Sequence, residues 1–333
     1  MGAASALEGT VSERYLRGML GAEGAEAPCS SLADECKTEL DERGVVTLHD
    51  FLTPAAVAEL VAEAESRAPE AFYTSSTHNV WLTEPDASRP PGHIFNRQLQ
   101  SGKGACAARR PPRWRRRSSR TSADDDRDVG PRSGCIQHDQ IPPGSRLRAL
   151  YDDRSFRRFI AKVVGEKELH EYADTLSGIN VHYAGDSKNL NWHFDNSSFA
   201  ITLLLQSPEG GGLFQYVSLA PSLPPSLTHS LTHSLARSLA HSLAPSRYVA
   251  NTRREDEEEE HALVESIVDG EVEPETLSMR PGTLVLFRGR DSIHRVTPTE
   301  GDRQRILVVL AFNAEEGIAL SEKARMTFFG RLA

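Results

Sequence analysis

The sequence predicts an α+β protein with a mainly β core, and three observations carry that reading. The second half holds short apolar or alternating runs at hairpin spacing, among them ITLLLQ, TLVLF, SIHRV and RILVVL. That is the pattern of an antiparallel sandwich or barrel. The first half carries apolar stripes at helical spacing instead. Between them lies Ile179 to Gln206, INVHYAGDSKNLNWHFDNSSFAITLLLQ, in which imidazole and carboxylate side chains sit inside strand-like sequence.

Residues 1 to about 30 are rich in Ala, Gly, Glu and Ser with little periodicity, and read as a disordered tail. A helical support region spans residues 31–175. Ser31 opens a helix that Gly44 ends, VVTL at Val45–Leu48 is a short strand, and Thr53-Pro54 caps a helix striped by Val57, Leu60 and Val61. SRLRALYDDRSFRRFIAKVVG forms one or two amphipathic helices, stopped at Gly165. Residues 176–333 form the strand-rich domain, which closes on a short helix in LSEKARMTFFGRL.

Two segments break the pattern. Residues from about 101 to 134 gather seven arginines, from Arg109 to Arg120, around Trp114, followed by Asp124-Asp125-Asp126. A nucleic-acid or import patch is one reading; a disordered basic insertion without a packed core fits better. GKGAC before it and SGCIQ after it join into ordinary sequence when the segment is removed. Residues 218–247 repeat Ser-Leu-x-x, and Tyr216-Val217 is echoed by Tyr248-Val249. His229 and His233 have i, i+4 spacing, but a near-perfect four-residue repeat flanked by prolines is low complexity rather than a metal-binding helix.

Bulk properties narrow the class. The chain has 333 residues and a formal charge of −9, which argues against a nucleic-acid binder. Cys29, Cys36, Cys106 and Cys135 have neither metal spacing nor the density of a disulfide scaffold, as expected of free thiols in a reducing compartment. No apolar run approaches the roughly 20 residues of a membrane span. MGAASA lacks the parts of a signal peptide, and Ala6 stands where a myristoylation site wants Ser or Thr. A soluble cytoplasmic protein is expected; oligomeric state is not legible.

The chemistry centres on Trp192-His193-Phe194-Asp195. In an extended strand His193 and Asp195 share a face. The third ligand is His294, in LVLFRGRDSIHRV, and two His with one carboxylate is the facial triad of non-haem Fe(II) oxygenases. Arg303 and Arg305 follow on one face, and an arginine fork suits a carboxylate. Arg303 is taken as the anchor with Arg305 as its alternative, and Tyr183 is expected to donate to the same acid. Asn191, Trp192 and Arg290 are candidates to line a substrate pocket. His182 is read as a structural histidine, and no argument places His138 at the site.

These stretches carry a resemblance. YAGDSKNLNWHFD, GGGLFQYV, PGTLVLFRGRDSIHRVTP and GDRQRI resemble the Fe(II)- and 2-oxoglutarate-dependent dioxygenases of the prolyl-hydroxylase type. NWHFDNSSFAITLLLQ with the terminal MTFFGR is similar to a branch that hydroxylates or halogenates free amino acids. The likeness runs from about Arg43 to Gly330, apart from the two odd segments. It implies a double-stranded β-helix (jelly roll) core with Fe(II) on His193, Asp195 and His294. It also implies 2-oxoglutarate as cosubstrate, its far carboxylate on Arg303 with Tyr183 assisting, O2 as oxidant, and succinate and CO2 as coproducts. Halogenating relatives lack the carboxylate that Asp195 supplies here, so the resemblance favours hydroxylation of a small molecule such as a free amino acid. Hydroxylation of a protein side chain and a non-catalytic jelly-roll module are the alternatives, with no membrane or nucleic-acid partner expected.

If the Ser-Leu repeat is translated unspliced sequence, peptide mapping of the native protein will show peptides from Ser222 to Ala244 missing or scarce. Full abundance contradicts that origin.

Overall fold

A computed structural model describes residues 7–20, 30–74, 76–102, 133–218 and 258–333. The basic insertion and the Ser-Leu repeat fall almost wholly outside the described residues. Five helices come from the first half: α1 (Glu13–Leu20), α2 (Ser30–Arg43), α3 (Pro54–Arg67), α4 (Arg146–Asp152) and α5 (Arg154–Val164). Two more follow, α6 (Glu258–Asp269) and α7 (Glu322–Phe329). No helix among the described residues is long and apolar enough to cross a membrane.

The early strands are β1 (Val45–Leu48), β2 (Phe72–Thr74), β3 (Ser76–His78), β4 (Leu99–Ser101), β5 (Ser133–Ile136) and β6 (His170–Glu171). The central ones are β7 (Ile179–Ala184), β8 (Leu190–His193), β9 (Ala200–Gln206), β10 (Gly210–Gly211) and β11 (Phe214–Ser218). The last are β12 (Glu275–Leu277), β13 (Leu284–Phe287), β14 (Ser292–Val296), β15 (Thr299–Glu300), β16 (Arg305–Leu310) and β17 (Phe312–Asn313). They form a seven-stranded antiparallel sheet, in the order β1-β13-β9-β16-β7-β5-β2, a four-stranded one, β12-β11-β14-β8, and the two-stranded pairs β10-β15, β17-β6 and β3-β4. The architecture is thus mainly β with flanking helices, as the alternating runs predict.

Strand period decides what faces where. On β16, Ile306, Val308 and Leu310 are fully buried, and their partners on β7 are Tyr183, Val181 and Ile179. Ile201, Leu203 and Leu205 of β9 and Leu284 and Leu286 of β13 continue the same apolar face. Helices α1 to α5 cover it with Met19, Leu40, Leu60, Tyr151 and Phe156. Residues of opposite parity, including Arg305, Leu307, Val309 and His182, turn to the other side, toward the smaller sheet. The two sheets meet at one end through Val45, Val285 and Phe287 against Tyr216 and Phe214. Behind the smaller sheet, Trp192 and Ile293 pack beneath α6 with Trp81 and Phe95.

Two expectations are corrected. Residues 7–20 are not a loose tail, because Leu7, Val11, Tyr15 and Met19 recur every fourth residue and bury one stripe against the helical layer. Tyr15 ties this segment down by donating to the His49 carbonyl at 2.9 Å. Tyr183 does not reach the site: it lies on the helix-covered face, where its hydroxyl donates to the Ala64 carbonyl of α3 at 2.7 Å. Burial pushes its phenol far above the usual range, so it remains a neutral donor. Tyr183→Phe is therefore expected to lose about 1 kcal/mol in denaturant unfolding, one buried neutral hydrogen bond. The anion affinity of the site is expected to stay unchanged.

Candidate metal centre

The antiparallel pairing of β8 with β14 sets His193 directly opposite His294. Both imidazoles are buried, with ring centroids 4.2 Å apart. Each is oriented by its own strand: His193 Nδ1 lies 2.7 Å from the Asn191 carbonyl and His294 Nδ1 3.0 Å from the Ser292 carbonyl. A carbonyl accepts only, so each Nδ1 carries a proton and each Nε2 is the ring nitrogen left to face the site. Both Nε2 atoms point at Asp195 Oδ1, each at 3.6 Å. That spacing is too long for a hydrogen bond and suits a cation bonded to each atom at about 2.0–2.2 Å.

Asp195 reaches this position by a route other than strand alternation. Strand β8 ends at His193. The next two residues are held by backbone bonds, Phe194 N–H to the Val80 carbonyl at 2.8 Å and Asp195 N–H to the Gly289 carbonyl at 2.9 Å. Burial raises the Asp195 carboxyl, but the two imidazoles, His294 foremost, outweigh it and hold the group well below the usual carboxylate range. Burial, then the neighbouring His294, lowers the His193 pKa. Two imidazoles and one carboxylate form the donor set that a divalent transition metal binds, displacing any proton from the ligand atoms. Among the described residues His193, Asp195 and His294 form the sole such cluster, their ligand atoms all within 4.8 Å of one another.

The two arginines separate. Arg303 precedes β16, is exposed, and donates to the carbonyls of Ser207 and Pro208 at 2.8 and 3.1 Å. It braces a turn rather than anchoring an acid, which corrects the expectation. Arg305 is the first residue of β16, on the face opposite Ile306, and is 7% exposed. Among the described residues its guanidinium has no hydrogen bond or ion pair, and burial lowers its pKa to about 10. A buried, unpaired guanidinium is costly to maintain without an anion.

The substrate candidates also part company. Trp192 is 2% exposed on the opposite face from His193, under Arg295 at 4.5 Å, so it belongs to the layer behind the sheet. Asn191 is half-buried on the His193 face and donates to the Gln100 carbonyl at 3.4 Å. Arg290 is exposed beside the centre and donates to the Asn196 carbonyl at 2.5 Å. His138 lies in the helical layer, edge-on to Tyr151 at 5.3 Å.

Sequence reasoning missed Gly289 and did not read the inward placement of His182. His182 is exposed on the inner face of β7, opposite Leu307 and beside Arg305. The alternation that misplaces Tyr183 contains this answer once the helix-covered face is known. Gly289 carries no motif signal, since its role arises from a neighbour 94 residues away (289 − 195).

The family model for halogenase D matches residues 245–327. A search of curated proteins finds no match. The chain is similar to a solved oxidoreductase of the 2OG-Fe(II) oxygenase family from Burkholderia pseudomallei, with 12% identity and a TM-score of 0.43 over 88% of this chain and 94% of that one. It is similar to a Trichoplax adhaerens prolyl hydroxylase in complex with a hypoxia-inducible-factor oxygen degradation domain peptide, at 11% identity and TM-score 0.46 over 93% and 96%. A Pseudomonas putida prolyl-4-hydroxylase gives 13% identity and TM-score 0.40 over 85% and 98%.

A Cβ on Gly289 would overlap the Asp195 carboxylate. Gly289→Ala is thus expected to displace Asp195 and weaken Fe(II) or Mn(II) binding at least tenfold, the scale seen when groups supporting a metal ligand are disturbed. The fold is expected to persist. Anaerobic metal titration beside a melting curve checks this.

Proposed function

We propose that the protein is an Fe(II)- and 2-oxoglutarate-dependent dioxygenase with a double-stranded β-helix (jelly-roll) core. On this reading it hydroxylates an unactivated C–H bond of a small molecule, with free amino acids the first substrates to test. The observation that carries the reading is the pairing of His193, Asp195 and His294 with a buried, unpaired Arg305 on the facing sheet. Metal ligands alone fit many enzymes. A guanidinium held without an anion on the opposite wall fits a cosubstrate that is both a chelator and a carboxylate.

His193, Asp195 and His294 hold Fe(II) and leave neighbouring coordination positions open. Bound Fe(II) supplies O2 activation, coupled to decarboxylation of 2-oxoglutarate to succinate and CO2. Arg305 receives the far carboxylate, whose negative charge replaces the lost hydration of the guanidinium. Phe287 and Phe214 pack against His294, with ring centroids at 4.9 and 5.5 Å, and exclude water from that side of the centre. Asn191 and Arg290 stand nearest the substrate side. Asp195 would supply the carboxylate ligand that halogenating relatives lack, which supports hydroxylation over halogenation.

With Fe(II), O2 and 2-oxoglutarate the protein is expected to release succinate. A screen of free amino acids is then expected to find a product one oxygen atom heavier. Asp195→Ala is expected to abolish hydroxylation. Unchanged succinate-coupled product from that variant would contradict the ligand assignment, and no succinate from well-folded unmodified protein would contradict the dioxygenase reading.

A further inference from the structure

Strand β8 is irregular beside the metal centre. His193 pairs with His294 and Leu190 with Val296, so β8 takes three steps where β14 takes two. That is a β-bulge at Asn191 and Trp192, a device that re-aims a neighbouring side chain and gives up regular ladder bonds. Both amides of the bulge go to side chains. Trp192 N–H donates to Asn191 Oδ1 at 2.9 Å, and Asn191 N–H donates to Ser101 Oγ at 2.9 Å. The Asn191 carbonyl in turn orients the His193 ring through Nδ1 at 2.7 Å. One residue thus joins the metal ligand on one side to a hydroxyl on the other.

That hydroxyl is itself held. Ser101 ends β4 and is buried, and its Oγ lies 2.8 Å from Nε2 of His78 on β3, the paired strand of a short hairpin. His78 Nδ1 lies 3.0 Å from the Asn79 carbonyl and carries a proton, while burial lowers the ring's pKa and leaves Nε2 as an acceptor. The Ser101 hydroxyl therefore donates to His78 and accepts from Asn191. The His78 ring also stands edge-on to His193, with centroids 5.9 Å apart. Gly102 N–H donates to the Asn189 carbonyl at 3.0 Å, which keeps the end of the hairpin against β8. The loop leaving β3 supplies the Val80 carbonyl that holds Phe194 N–H. The hairpin contributes no metal ligand, yet it fixes the chain on both sides of His193.

We propose that Ser101, backed by His78, is a positioning residue for the metal ligand His193. This rests on the metal centre of the reading above and not on which cosubstrate the centre takes. A backbone carbonyl orients an imidazole only as well as its own residue is held, and a bulge lacks the ladder bonds that hold a regular strand. Without the hydroxyl, Asn191 N–H and His78 Nε2 lose their common partner, and the bulge relaxes to find others.

The test reads Co(II) in place of Fe(II) on the full chain, with Kd and ligand geometry taken from its visible d–d bands. Ser101→Ala is expected to shift the bands and to weaken Co(II) roughly 10- to 100-fold, the effect of losing an outer partner of a metal ligand. Ser101→Thr keeps the hydroxyl and should stay within about twofold of the unmodified protein, with unshifted bands. His78→Leu removes the acceptor behind Ser101 and is expected to shift the bands in the same direction; it carries the comparison should the alanine variant fold poorly. A melting curve accompanies each variant. A lower melting temperature with unchanged bands and affinity would make Ser101 a purely structural residue and overturn the assignment, as would a threonine variant that behaves like alanine. Failure of the unmodified protein to bind Co(II) would instead overturn the metal centre, and this inference with it.

Discussion

Burial of one face of the seven-stranded sheet beneath the N-terminal helices is the constraint on which the site depends. Side chains alternate along a strand, so committing Ile306, Val308 and Leu310 to the helical layer commits Arg305, Leu307 and Val309 to the other side. The same rule on β7 sends Val181 and Tyr183 inward to the helices and His182 toward the smaller sheet. A slip of one residue would exchange Arg305 for an aliphatic side chain and bury a guanidinium under α3. The helices α1 to α5 contribute no proposed ligand, yet their apolar stripe decides which groups face the metal.

Electrostatics at the centre follow from that geometry. The carbonyls of Asn191 and Ser292 fix both imidazoles with their Nε2 atoms facing Asp195. Burial disfavours a charge on His193, and the neighbouring rings draw Asp195 below the usual carboxylate range. On the larger sheet Arg305 contributes a positive charge without a counter-ion among the described residues. The metal triad therefore attracts a dication and the far wall attracts an anion. On the proposed reading a chelating dicarboxylate would satisfy both.

Much of this was legible in the sequence, and the misses have physical causes. The ligands His193, Asp195 and His294 stand out because an H-x-D pair followed by a distant histidine is a metal-binding pattern. Alternation gives the right shared face for His193 and Asp195, although the backbone bonds of Phe194 and Asp195 achieve it rather than a continuing strand. Alternation also links Arg303 to Arg305, but Arg303 lies in a turn where the period does not hold. The choice between Tyr183 and His182 needs to know which face the helices cover, and no local pattern contains that. The stripe from Leu7 to Met19 was hidden by the alanines and glycines around it.

The most direct measurement of this account is an anaerobic crystal structure of the protein with Fe(II) and 2-oxoglutarate, phased or checked by iron anomalous scattering. The account predicts an iron peak at bonding distance from His193 Nε2, His294 Nε2 and an Asp195 oxygen. It also predicts the distal carboxylate on the Arg305 guanidinium. Iron bound elsewhere, or a carboxylate seated on Arg303 with Arg305 still unpaired, would contradict it.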